Sequence, residues 1–97
     1  MRVRITEAAE ADLEEIGHFI AQDSPVRADS FVQELLVQCR GLAKQSQRYP
    51  VFALVLGREM RRCPYGNYLI VYSILPDEIE VGRILHGARD YMRLLEL

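Results

Sequence analysis

Tryptophan is absent from these 97 residues, lysine occurs once, at Lys44, and cysteine only at Cys39 and Cys63. Two thiols are too few for the disulfide framework of small secreted domains, and in a reducing compartment such residues serve as small buried hydrophobes. With His18 and His86 they offer scattered soft ligands without Cys-x-x-Cys or His-x-x-x-His spacing, so neither a metal nor a cofactor is expected. Long apolar runs are also missing. Val51 to Leu56 and Leu69 to Tyr72 are the longest, against the roughly 20 residues a membrane span requires. Met1-Arg2-Val3-Arg4 opens no apolar core of a secretory signal. These absences point to a cytoplasmic protein with no membrane contact.

A strong excess of one charge is lacking as well, the net charge being −2. Its distribution is uneven. Residues 1–39 hold three basic residues against eight acids, and residues 40–97 hold nine against six. So mild an asymmetry suits a protein partner at least as well as phosphate contacts, and sequence-specific nucleic-acid binding is not expected. The chain is one domain, 1–97, because its length leaves no room for a second core. Hydrophobic residues make up 49% and charged residues 27%, which excludes wholesale disorder.

Met1, Val3 and Ile5 alternate with Arg2, Arg4 and Thr6, the period of a half-buried strand with a basic outer face. Thr6 then caps a helix whose first turn is acidic, and Ala9, Leu13, Ile16 and Ile20 mark its apolar stripe to about Asp23. Ser24-Pro25 restarts a second helix, with Ala28, Phe31, Val32, Leu35, Cys39 and Leu42 on one stripe to about Gln47. The run Val51 to Leu56 fits a short buried strand or a loop covered by a partner. Beyond it, Arg58 to Cys63, a Gly66-Asn67 turn, Tyr68 to Leu75 and Ile79 to Leu85 read as strands. Ala88 to Leu95 reads as a short helix or a tail. The predicted order is β-α-α-β-β-β, an α+β sandwich with a helical hairpin on one face of a mainly antiparallel sheet.

Met60-Arg61-Arg62-Cys63-Pro64-Tyr65-Gly66-Asn67-Tyr68-Leu69-Ile70-Val71-Tyr72, followed by residues 79–90 with their Arg-Ile-Leu-His-Gly-Ala-Arg-Asp ending, resembles the RelE/ParE toxin superfamily, in its ParE branch. Weaker similarity runs through Ala11-Asp12-Leu13-Glu14-Glu15-Ile16, Ile20-Ala21 and Pro25-Val26-Arg27-Ala28. Residues 50–57 depart from the pattern, being an unusually apolar version of the family's proline- and glycine-rich connection. The resemblance implies a RelE/ParE-like fold and the toxin of a type II toxin-antitoxin, or plasmid stabilization, system, neutralised by direct binding of a cognate antitoxin. Its ParE branch implies growth inhibition through DNA gyrase, and its RelE branch ribosome-dependent cleavage of mRNA.

Residues must decide between the two. Cleaving RNA requires a group to take the 2′-hydroxyl proton, an acid for the leaving oxygen and cations for the phosphorane-like charge. Arg61, Arg83, His86 and Tyr91 are the weak candidates, and the single lysine sits on the second helix, so the constellation reads as incomplete. His86 reads first as a turn residue whose imidazole bonds backbone groups, ahead of target contact or catalysis, and Arg83 reads equally as half of an ion pair with Glu80 or Asp90. A non-catalytic gyrase poison is therefore expected, with Arg61, Arg83, His86, Arg89 and Arg93 as target contacts. The antitoxin is expected to cover apolar surface at Leu13, Ile16, Ile20, Phe31, Leu35, Val51, Phe52 and Leu54, as a helix beside the hairpin and as an added strand.

Overall fold

A computed structural model describes residues 1–90. The alternation at the start forms β1 (Arg2–Ile5), and one residue later the chain turns into α1 (Glu7–Ala21). Thr6 makes this sharp entry possible. Its hydroxyl accepts the Ala9 N–H (3.2 Å), capping the helix, and donates to the Gly82 carbonyl (2.9 Å), which ties the cap to the sheet. Ser24 caps α2 (Pro25–Gln45) by accepting the Arg27 N–H, with Pro25 in the first turn. Both helices stop about two residues before the ends expected from periodicity, where polar turn residues take over.

Four strands follow: β2 (Val51–Val55), β3 (Arg58–Tyr65), β4 (Tyr68–Ile74) and β5 (Glu78–His86). The order across the sheet is β1-β5-β4-β3-β2, with β1 parallel to β5 and every other pair antiparallel. Val51–Val55 thus adds a strand to the expected sequence of elements. It is an edge strand and not a buried one, with Leu54 70% exposed. The two residues linking it to β3, Leu56 and Gly57, both carry positive φ, at 53° and 79°. This is the backbone a two-residue hairpin requires, and leucine is an unfavourable choice for it.

The hairpin of helices packs on one face of the sheet. Leu13, Ile16, Leu35, Cys39 and Leu42 meet Cys63, Ile70, Tyr72, Ile79, Val81 and Ile84 there. Tyr72 reaches through this layer to donate its hydroxyl to the Ser46 carbonyl (2.6 Å), at the end of α2. Leu13, Ile16 and Leu35 are at most 7% exposed. At these three positions the expected antitoxin contact is corrected, since side chains that already fill the core have no surface for a partner to cover. Ile20 and Phe31 also pack against the core and are half-buried.

The other face of the sheet is charged toward β1. Arg2 and Arg4 hold Glu78 at 3.0 and 2.8 Å, Arg4 also holds Glu80, and Arg58 of β3 reaches Glu80 at 2.6 Å. The hydrogen bonds from Arg4 and Arg2 keep the Glu78 carboxyl below the usual carboxylate range. Among the described residues no helix is long and apolar enough to cross a membrane. The final residues 87–90 form a turn, and the helix or tail expected beyond them lies outside the described residues.

Candidate functional site

A concave feature lies where β5 outruns its neighbour. β1 ends at Ile5, opposite Val81, so Gly82 to His86 form the rim of the sheet beside α1. An unpaired row of backbone donors there would be costly and sticky. Two carboxylates occupy it. The Ile84 N–H donates to Asp12 Oδ2 (2.8 Å) and the His86 N–H to Asp90 Oδ2 (3.1 Å).

Asp12 does more than cap. Its two oxygens also accept the Arg83 Nε and Nη2 hydrogens at 2.8 and 3.1 Å, a bidentate pair that fixes the guanidinium against α1. That bond raises the already high Arg83 pKa and keeps the side chain cationic. Arg83 thus takes its carboxylate from α1, and neither Glu80 nor Asp90 is its hydrogen-bonded partner in this pair. Asp12 was not singled out among the site residues from sequence. A signal for it exists: it lies three residues after Ala9 and four before Ile16, on the border of the buried stripe.

His86 sits in the turn that follows. Its Nδ1 accepts the Arg89 N–H (3.2 Å), so the neutral ring carries its proton on Nε2, and the ring edge meets Tyr68 with centroids 5.4 Å apart. The turn is closed by the Asp90 N–H on the His86 carbonyl (2.8 Å). Arg89 Nε pairs with Asp90 (3.2 Å), and its guanidinium lies 6.0 Å from the Phe19 ring centre. Arg83, His86 and Arg89 are therefore neighbours on one rim. Between α1 and this turn lies a cleft of about 440 Å³, bordered by Asp12, Glu15, Phe19, Tyr68, Arg83 and Arg89.

Arg61 is elsewhere. It is opposite Tyr72 in β4, faces the helices, and donates to the Tyr49 carbonyl (2.6 Å), holding the connection between α2 and β2. Arg62 points to the opposite face and stacks over Phe52. Tyr91 and Arg93 lie outside the described residues. Val51, Phe52 and Leu54 share the β2 edge, at the far side of the sheet from the cleft. Among the described residues no group of three or more His, Cys, Asp and Glu is placed to hold a metal ion.

A mixed five-stranded sheet with one helical hairpin packed on one face defines a small α+β domain. The family model for the ParE toxin of type II toxin-antitoxin systems, parDE, matches residues 3–91, and the chain belongs to that family. Its fold is similar to a solved structure of the chromosomal ParDE toxin-antitoxin system from P. aeruginosa. The TM-score is 0.73 at 23% identity, over 89% of this chain and 95% of that one. No curated protein shows significant sequence similarity to the chain.

Proposed function

We propose that this ParE toxin acts in the cytoplasm, is neutralised by direct binding of a cognate antitoxin, and when released inhibits DNA gyrase by protein contact. The separation of the arginines supports contact over cleavage. A ribonuclease needs its cations and its acid-base groups around one phosphate. Here Arg61 turns to the connection between α2 and β2 while Arg83 is clamped on α1, with β4 between their strands. The His86 Nδ1, one of the two ring positions available for proton transfer, is engaged by a backbone N–H. Arg83, His86 and Arg89, with Arg93 beyond the described residues, are the target contacts proposed, whereas Arg61, turned to the Tyr49 carbonyl, is set apart from them and is no longer counted among them.

Supercoiling by purified gyrase in the presence of the toxin tests this reading. The expected result is inhibition with accumulation of cleaved DNA, weakened about tenfold by Arg89→Ala, as for loss of one charged contact. Site-specific mRNA cuts in a translating extract, with supercoiling untouched, would replace this reading by the endoribonuclease one. The antitoxin part is checked separately, by rescue of growth when the neighbouring reading frame is co-expressed.

A further inference from the structure

The acids of α1 carry an inference about how the partner docks. The helix Glu-Ala-Ala-Glu-Ala-Asp-Leu-Glu-Glu-Ile-Gly-His-Phe-Ile-Ala holds five carboxylates and no lysine or arginine. Asp12 is neutralised by Arg83, and in the adjoining turn Asp90 is paired with Arg89. Glu15 borders the same cleft, is exposed, and makes no ion pair within the described residues. Among the described residues that border the cleft, three carboxylates face two guanidinium groups, so one negative charge is left over.

Next to that charge stands an exposed aromatic face. Phe19, one helical turn after Glu15, is 54% exposed, which is unusual for a large apolar side chain on an otherwise polar helix face. Arg89 already lies over this ring, at the outer limit of a cation-π contact, while bonded to Asp90. The site therefore holds one guanidinium between a ring and a carboxylate, and Glu15 with Phe19 offers the same pair of groups to a second. Arginine suits such a position better than lysine, because its planar, weakly hydrated head can stack and hydrogen-bond at once.

We propose that the cleft between α1 and the turn after β5 seats an arginine of the antitoxin, its guanidinium paired with Glu15 and stacked on Phe19. The inference rests on the antitoxin reading above and goes further by fixing the face and the sign of charge of the docking segment. The neutralising segment is basic where it crosses α1, a match for the acidic first half of this chain.

Calorimetric titration of the purified toxin with the protein encoded beside its gene tests this. Glu15→Arg is expected to weaken binding more than tenfold, and Phe19→Ala to weaken it several-fold. Glu14→Arg, an equal charge reversal on the same helix that does not border the cleft, is expected to stay within about twofold of the unchanged protein. Raising salt should narrow the gap between Glu15→Arg and the unchanged protein. Equal affinities for the two charge reversals overturn the proposal, as does deuterium exchange showing antitoxin bound with residues 15–19 unprotected. Both results leave the antitoxin reading standing. Failure of the unchanged toxin to bind at all removes that reading, and the docking inference falls with it.

Discussion

Asp12 illustrates how much one side chain can organise. It accepts from Arg83 twice and from the Ile84 N–H once, so it joins α1 to the sheet rim and orients a proposed contact residue. Asp12→Ala strands both donors, and a loss of about 1–3 kcal/mol is expected in urea unfolding. Asp12→Asn keeps an acceptor for Ile84 and should lose less. Leu56 presents the opposite case, a residue at odds with its backbone. A leucine at φ 53° beside Gly57 is strained, while Asn-Gly is the preferred pair for such a turn. Leu56→Asn should therefore raise stability by about 1 kcal/mol, read as a higher unfolding midpoint.

At the scale of elements, the helices were the most legible part of the sequence. Thr6 and Ser24 announce the starts of α1 and α2, and a stripe at helical spacing identifies Ala9, Leu13, Ile16, Leu35, Cys39 and Leu42, all of them buried. The strand at 51–55 stayed ambiguous because an apolar run without alternation looks the same in a buried strand and in a covered loop. Only pairing with β3 decides it, and pairing partners are not written in local sequence. The site was legible in part. Arg83, His86 and Arg89 could be named from the ending of β5. The carboxylate that holds Arg83 lies 71 positions earlier, beyond the reach of any local pattern. The overestimate of exposed apolar surface has a related cause. Periodicity shows which face of a helix is apolar, but not whether the sheet beneath already covers it.

For the molecule as a whole, titration should destabilise the fold at both ends of the pH range. Glu78 is held low by Arg4 and Arg2, so its folded pKa lies below the unfolded one. Its contribution is complete above the ordinary carboxylate range and is lost as pH falls through the depressed value. Burial acts in the opposite sense on Tyr72 and Cys39, both pushed up to about 12. With folded values above unfolded ones, these groups favour the fold fully below their ordinary pKa values. That advantage disappears as pH rises from about 9 toward 12. Urea midpoints measured across pH should form a plateau with a fall on each side. In Glu78→Gln the acid limb should flatten, and in Cys39→Ala the alkaline limb should.

The parallel pairing of β1 with β5 joins segments 76 residues apart. During synthesis the first strand must wait for residues 78–81 to emerge before its neighbour exists, since long-range pairing of this kind closes late. A nascent chain halted at Leu75 lacks the strand that receives Arg2, Arg4 and Thr6. It should stay protease-sensitive in limited digestion, whereas the finished chain resists. The edge of the sheet at β1 would then be sealed only after Glu78 to Val81 have left the ribosome.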